Sequence, residues 1–168
     1  PIHHDYLSYR HTPSQLKQIF QNKSWDKVIA FQTRNPMHRA HYEITKKAME
    51  NISGNLLLHP VIGQTQLGDI NYSIRVRCYE HIYKKYPKQS TMLALLPLAM
   101  RMAGPREALF HALIRKNYGC THIIIGRDHA GATDGTTGKS FYDPYDAQEL
   151  VKEYEKKIGI QMIPFQHM

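Results

Sequence analysis

Short and nearly continuous apolar runs constrain the fold of this chain more than any other feature of its sequence. Five such runs recur along 168 residues, and each is too short for a typical helix. Runs such as VIAF, LLLHPVI and HIIIG do not alternate between apolar and polar residues, which is typical of strands covered on both faces of a parallel sheet. The predicted strands are Lys27–Gln32, Leu56–Ile62, Thr91–Leu96, Thr121–Gly126 and Ile160–Pro164.

Segments with helical spacing separate these runs. Their ends carry recognisable signals. Thr12-Pro13 is an N-cap followed by proline, Gly104-Pro105 begins the fourth helix, and Gly159 follows the last one. Strand and helix therefore alternate, which predicts an α/β fold built on a doubly wound, mostly parallel sheet of about five strands. The predicted helices are Pro13–Asn22, Met37–Glu50, Tyr72–Tyr86, Pro105–Asn117 and Asp146–Ile158.

The composition is that of a folded domain, with 42% hydrophobic and 21% charged residues. We expect residues 1–13 to be a connector and residues 14–168 to form one domain. No apolar run reaches the roughly 18 residues of a membrane span, and the first residues do not resemble an export signal. Cys78 and Cys120 lie far apart and fit buried thiols of a reducing compartment, so a cytoplasmic protein without membrane contact is expected.

The formal net charge of +8 suits an anionic partner, which could be a nucleotide, a nucleic acid or a small oxyanion. The eleven tyrosines lack the spacing of an RNA-stacking platform, so no nucleic-acid partner is expected. Most basic residues of the predicted helices are expected on solvated faces. The basic residues of these helices, most but not all of which are covered by this expectation, are Lys46, Lys47, Arg75, Arg77, Lys84, Lys85, Arg115, Lys116, Lys156 and Lys157.

Ligands of doubly wound sheets bind beyond the carboxyl ends of the strands, and the first predicted strand is followed by QTRNPMHRAH. If Pro36 opens the next helix, His38 and His41 share one face of its first turns. A helix N-terminus with two imidazoles beside it suits a phosphate chain. The alternative is that these histidines merely cover an ordinary helix. A zinc site is disfavoured because zinc-binding histidines on one helix are usually four residues apart.

Other polar residues of this run suit an oxyanion. Arg34 carries a planar fork of donors that matches a tetrahedral anion, and Gln32 and Asn35 can donate hydrogen bonds without adding charge.

The fourth predicted strand is followed by GRDHAG, in which Gly126 and Gly131 allow a tight turn and a close approach of the backbone to a ligand. A phosphate or a sugar could lie against it. The alternative is a simple turn in which Arg127 and Asp128 pair only with each other.

Two further features are predicted to have no catalytic role. The segment Gly135–Ser140 ends in G-K-S, but a phosphate-binding P-loop requires glycine at position 133, where Thr133 stands. We therefore expect a mobile surface loop there. His59 is predicted to be a hydrogen-bonded histidine on a strand rather than a ligand.

The run QTRNPMHRAH resembles the Q-x-R-N-P-x-H-x-x-H signature of ATP sulfurylases. Its H-x-x-H is similar to the H-x-G-H motif of the wider nucleotidyltransferase superfamily, with Ala40 in place of the glycine. GRDHAG resembles a second sulfurylase motif, and the resemblance extends over HPVIGQTQLGDINYSIRVRCYE, LPLAMRMAGPREALFHALIRKNYGC and FYDPYDAQEL. It implies a Rossmann-like domain of the H-x-G-H nucleotidyltransferase type, the central catalytic domain of a longer enzyme whose N-terminal domain and C-terminal segment are missing here.

The resemblance implies a sulfate adenylyltransferase, which transfers AMP from ATP to sulfate and gives adenosine 5′-phosphosulfate (APS) and pyrophosphate. Mg²⁺ would accompany ATP without a dedicated protein site, and the full-length protein would be a homo-oligomer. The implied catalytic residues are Thr33, Arg34, Asn35, His38 and His41. The implied ATP-binding residues are Gln32, Thr33, Arg34, Asn35, Gly126, Arg127, Asp128, His129 and Met168, and those for sulfate are Gln32, Arg34 and Ala130.

Two other functions remain open from the residues themselves. One is another H-x-G-H-type nucleotidyltransferase that transfers AMP or CMP to a phosphorylated or carboxylated acceptor. The other is a non-catalytic domain that binds nucleotide or has a regulatory role.

Overall fold

A computed structural model describes residues 4–63 and 68–165 of the chain. It contains a five-stranded sheet in which every neighbouring pair of strands is parallel, in the order β3-β2-β1-β4-β5. The strands are β1 Val28–Phe31, β2 Asn55–Leu58, β3 Thr91–Leu93, β4 His122–Ile125 and β5 Gln161–Pro164. The helices are α1 Pro13–Asn22, α2 Arg39–Ile52, α3 Tyr72–Tyr83, α4 Pro105–Asn117 and α5 Asp146–Ile158.

Helices cover both faces of the sheet, which explains why the strands are apolar throughout. Ala30 and Ile123 face the side covered by α1, α4 and α5, whereas Ile29, Phe31 and Ile124 face the side covered by α2 and α3. Ile29 and Ile123 are fully buried, and burial of such a side chain contributes about 1.5–3 kcal/mol. The predicted doubly wound α/β fold is confirmed.

The chain order places a topological switch point between β1 and β4. From β1 the chain builds β2 and β3 on one side, and it then crosses to β4 and β5 on the other. The loops that follow β1 and β4 therefore leave the same edge of the sheet in opposite directions, which opens a crevice between them.

Helix ends with local signals lie where the sequence predicts them. The amide of Gln15 donates to Thr12 Oγ1 over 3.2 Å, and the amide of Thr12 donates to Gln15 Oε1 over 2.8 Å, so a capping box starts α1. Helix α5 ends before Gly159, whose positive φ of 76° suits glycine. Helix α4 also has the predicted ends.

Other boundaries differ from the prediction. Pro36 does not open α2, which begins at Arg39 with His38 as its N-cap. Helix α3 ends at Tyr83 rather than Tyr86, since the residue before Pro87 disfavours helical backbone. The strands are one to three residues shorter than predicted. In β2 the ladder ends at Leu58 because Pro60 has no N–H to donate.

Residues before α1 pack against the domain. A 3₁₀ turn spans Leu7–Tyr9, the Tyr9 hydroxyl donates to Glu80 over 3.0 Å, and the amide of Leu95 donates to the carbonyl oxygen of Tyr9 over 2.8 Å. That this segment connects to another domain stays a prediction. Among the described residues, no helix has both the length and the apolar character needed to cross a membrane.

Candidate functional site

The loops that follow β1 and β4 enclose two adjoining cavities at the switch point. One has a volume of about 260 Å³ and the other about 220 Å³, and they share Gln32, Thr33 and His129. The first is also lined by His38, His41, Gly126 and Arg127, and the second by Arg34, Asn35, Asp128 and Ala130. The structure thus brings together every predicted site residue except Met168, which lies outside the described residues.

A larger cavity of about 690 Å³ lies between α2 and α3 and shares only His38 with the candidate site. Because it contains none of the other predicted donors, the two smaller cavities are the better candidate for an anionic ligand.

Arg34 is already engaged by a carboxylate. Its Nη1 donates to Asp69 Oδ1 over 2.5 Å, and the two side chains are only 22% and 17% exposed. An oxyanion that binds Arg34 must therefore share the guanidinium with Asp69 or replace it.

Side chains of α3 donate hydrogen bonds to the backbone of the loop that follows β1. Arg75 Nη1 donates to the carbonyl oxygens of Arg34 over 2.7 Å and Val61 over 3.0 Å, and the Tyr79 hydroxyl donates to the carbonyl oxygen of Asn35 over 3.0 Å. Arg75 is buried, so it is an exception to the solvated faces expected for most basic residues of the helices. Loop carbonyls that cover α3 need donors, and the arginine supplies them.

The rings of His38 and His41 are adjacent even though only His41 is helical. Their centroids are 4.1 Å apart, and the amide of His38 donates to His41 Nδ1 over 3.3 Å. Burial, together with the charge of His38, lowers the pKa of His41 to about 4. His41 is therefore neutral at pH 7, with its proton on Nε2.

The GRDHAG turn places strained backbone beside the cavities. Asp128 and Ala130 have positive φ values of 53° and 55°, and the amide of Gly104 donates to the carbonyl oxygen of Ala130 over 2.8 Å. The Ala130 amide itself donates to no group in the described part of the chain, so it is available to an anion. A Cβ on Gly126 would meet no atom within 4 Å, so the glycine leaves open space rather than allowing close packing.

Arg127 and Asp128 pair with each other, as the simpler interpretation of this turn predicted. Their Nε and Oδ2 atoms lie 3.2 Å apart, and both side chains are 48% exposed. Such an exposed pair contributes little to stability and can open to contact a ligand.

Three buried residues of α4 lie beneath the site and were not predicted to take part in it. Glu107, His111 and Arg115 are 5%, 0% and 0% exposed. Arg115 donates to Gln32, and His111 contacts both Gln32 and His129. Arg115 is therefore a second exception to the solvated faces expected for most basic residues of the helices. Their spacing of four residues places them on one helix face. This spacing was the one sequence signal that could have drawn attention to them.

Burial keeps the histidines of this layer neutral. It lowers the pKa of His111 to about 2, with the charges of His129 and Arg115 adding to the effect. It lowers the pKa of His129 to about 4, again with a contribution from Arg115. His59 is satisfied on one side only, because its Nδ1 accepts from Arg115 over 3.1 Å while its Nε2 has no described partner.

The segment Gly135–Ser140 begins no helix and is exposed. Asp134 Oδ1 accepts hydrogen bonds from the amides of Thr136 and Thr137, both over 2.7 Å, and residues 133 and 140 form an isolated bridge. This geometry is a surface turn. Within residues 4–63 and 68–165, no group of three or more His, Cys, Asp or Glu side chains could hold a metal ion.

Comparison with known proteins gives one consistent family. Residues 7–168 match the family model described as ATP-sulfurylase. A sulfate adenylyltransferase of Schizosaccharomyces pombe is 58% identical over 100% of this chain and 34% of its own length. Those of Mycosarcoma maydis and Saccharomyces cerevisiae are 56% and 54% identical over 100% and 98% of this chain, and over 29% and 32% of their own lengths.

A solved structure, described as a hexameric APS kinase from Thiobacillus denitrificans, superposes with a TM-score of 0.79 and 33% identity. The match covers 100% of this chain and 30% of that one. This chain therefore spans about a third of the length of its curated relatives. With a family match over nearly all of its residues, the chain belongs to the ATP-sulfurylase family.

Proposed function

We propose that this protein is a sulfate adenylyltransferase, a nucleotidyltransferase that transfers AMP from ATP to inorganic sulfate and gives APS and pyrophosphate. The observation that carries the proposal is that the donors of two separate sequence motifs line two adjoining cavities at the switch point of the sheet. The curated relatives named sulfate adenylyltransferase support the choice of reaction.

In this reaction a sulfate oxygen attacks the α-phosphorus of ATP in line. The bond from the α-phosphorus to the oxygen that bridges to the β-phosphate breaks, and pyrophosphate leaves with the electrons of that bond. No side chain is covalently modified, so the protein contributes positioning and stabilisation of developing negative charge.

The cavity lined by Arg34 is the proposed sulfate site. Arg34 offers its guanidinium to the anion, and the unpaired Ala130 amide lies on the same cavity. Gln32 lines both cavities, so it is proposed to lie at the junction of sulfate and α-phosphate. Thr33 and Asn35 are proposed to contact the α-phosphate region.

The cavity lined by His38 and His41 is the proposed phosphate site. A neutral His41 donates from Nε2 to the phosphate oxygens that gain charge during the reaction, and His38 lies beside it. The turn Gly126–His129 is proposed to bind the nucleoside.

A protein-held metal ion does not fit this site. Asp69 pairs with Arg34 and Asp128 pairs with Arg127, and the described residues offer no cluster of ligands. Mg²⁺ is therefore proposed to enter on the phosphate oxygens of ATP. We also propose a cytoplasmic location and a homo-oligomer. Light scattering of the full-length gene product would test the oligomeric state.

Replacing Arg34 tests the proposed sulfate site. In the full-length gene product, Arg34→Ala should lower sulfate-dependent exchange of labelled pyrophosphate into ATP by 100-fold or more, because loss of one donor costs about 3–4 kcal/mol of transition-state stabilisation. ATP binding and circular dichroism should change little. The control is Arg39→Ala, whose side chain is 92% exposed and outside the sulfate cavity.

Near-normal exchange by Arg34→Ala would refute the assignment. Exchange that depends on another acceptor instead of sulfate would identify a different nucleotidyltransferase. ATP binding without any exchange would indicate a non-catalytic domain.

A further inference from the structure

A buried polar stripe on α4 connects to the floor of the candidate site. Glu107, His111 and Arg115 follow one another at intervals of four residues and are at most 5% exposed. His111 and Arg115 contact Gln32, and His111 also contacts His129; Gln32 and His129 both line the two cavities. The proposed mechanism gives this stripe no role.

Arg115 fixes the orientation of the Gln32 amide. A guanidinium only donates, and Arg115 Nη1 donates to Gln32 Oε1 over 2.5 Å. Its Nε and Nη2 donate to His59 Nδ1 over 3.1 Å and to the His59 carbonyl oxygen over 2.8 Å. No carboxylate of the described residues pairs with Arg115. Since the amide oxygen must face Arg115, the amide nitrogen of Gln32 must face His111.

This orientation determines the tautomers of two histidines. Gln32 Nε2 donates to His111 Nδ1 over 2.9 Å, so the proton of neutral His111 is on Nε2. That buried nitrogen lies 3.2 Å from Glu107 Oε1 but has no hydrogen-bond partner among the described residues. His129 Nε2 lies 3.0 Å from the same His111 Nδ1. Because that Nδ1 carries no proton, His129 Nε2 must be the donor.

The outer nitrogen of His129 is consequently an acceptor. With the proton on Nε2, Nδ1 of the half-buried His129 carries a lone pair, and it has no hydrogen-bond partner in the described part of the chain. A phosphate oxygen would be repelled by this lone pair, whereas a hydroxyl or an amine would be bound.

We propose that Arg115 and His111 are positioning residues, Arg115 acting through Gln32 and His111 by direct contact, which hold His129 as a hydrogen-bond acceptor for a donor group of the nucleotide. The donor is a ribose hydroxyl or the adenine amine. The inference uses the proposed function only in taking ATP as the ligand.

The test is a comparison of nucleotide affinities in the full-length gene product. The probes are ATP, 2′-deoxy-ATP, 3′-deoxy-ATP and purine riboside triphosphate, each analogue lacking one donor. Wild type should bind one analogue roughly tenfold more weakly than ATP, which corresponds to one lost hydrogen bond. The analogue affected shows whether the donor is a hydroxyl or the amine.

Variants then separate positioning from packing. Arg115→Met should weaken ATP binding roughly tenfold and abolish the preference over that analogue. Arg115→Lys, which keeps the charge and one donor direction, should restore part of it. His111→Asn retains an acceptor near the Nδ1 position and should keep the preference, whereas His111→Leu should lose it. The control is Lys116→Met, exposed on the same helix.

Two results would overturn the proposal. One is an unchanged preference in Arg115→Met and His111→Leu, and the other is an equal weakening of all four nucleotides. If these variants do not fold, long-range ¹H–¹⁵N spectra of the wild-type histidines decide, since a proton on His129 Nδ1 at pH 7 contradicts it. Absence of sulfate-dependent exchange in wild type would refute the proposed function without affecting these binding and spectral results.

Discussion

The ring of His41 has a different task on each nitrogen. Its Nδ1 accepts the backbone amide of His38 over 3.3 Å, which satisfies a free donor at the start of α2. Its Nε2 carries the proton, because burial holds the pKa at about 4, and it is the proposed donor to phosphate. The start of α2 therefore depends on Nδ1 of His41, and the proposed contact with phosphate depends on Nε2 of the same ring.

His41→Asn should separate these two tasks. The asparagine amide oxygen lies near the former Nδ1 position, so the helix start is retained, but the donor at Nε2 is lost. We expect kcat for the sulfate-dependent reaction to fall roughly 100-fold to 1,000-fold. The free energy of unfolding, measured in urea, should stay within about 1 kcal/mol of wild type, whereas His41→Leu should lower both. A large loss of stability in His41→Asn would contradict this division.

The sequence allowed the lining of the site to be predicted because a simple rule locates it. Residues directly after buried parallel strands meet at one sheet edge, so the sequence alone places Arg34 and His129 together. The buried position of Arg75 and Arg115 could not be predicted. Whether an arginine on a helix meets water or loop carbonyls depends on segments remote in sequence, and the side chain alone carries no sign of them.

Among the elements, α1 shows how local signals fix a boundary. Thr12 and Gln15 exchange hydrogen bonds between side chain and backbone, and Pro13 needs no N–H at the first helical position. These residues are adjacent in sequence, so the start of α1 was predictable. The end of β2 was placed too late, although Pro60, which has no N–H to donate to the ladder, stands within the predicted strand.

Thr12→Ala should measure this cap. The substitution removes the oxygen that accepts the Gln15 amide, and such losses cost about 1 kcal/mol. The urea midpoint should fall accordingly, with no change in nucleotide affinity because α1 lies outside both cavities. Ser14→Ala, on the same first turn and exposed, is the control. Equal midpoints for Thr12→Ala and wild type would show that the cap does not contribute.

The whole molecule separates an apolar interior from one polar edge. The two larger core clusters lie against the strands and helices, while the polar network of Gln32, His111 and Arg115 lies where β1 and β4 end. The fold class followed from the apolar runs, since strands without alternation belong to a sheet that is covered on both faces. The strand order did not follow, because no local pattern records which strand lies beside which.

The neutral histidines at this edge should make stability depend on pH. In the unfolded chain histidine titrates near 6.5, but in the fold the pKa is about 4 for His41 and His129 and about 2 for His111. Below pH 6.5 the unfolded state therefore binds protons that the folded state does not, and the free energy of unfolding falls with pH. The stability that these groups contribute is complete above pH 6.5 and is lost as pH falls toward 4.

The window from pH 6.5 to 5 separates the histidines from the carboxylates, because Asp5, Asp134 and Glu155, whose pKa values are also lowered, have ordinary values of 3.8 to 4.5 and titrate below it. Burial also lowers the pKa of His59 and of His122, so these two histidines add to the fall in the same window. Urea unfolding at half-unit steps should give a falling free energy, with a slope of up to about 1.4 kcal/mol per pH unit for each proton. His111→Asn should reduce the slope by about one proton, provided that the variant still folds. A free energy that is constant between pH 6.5 and 5 would mean that these histidines titrate in the fold much as they do in water.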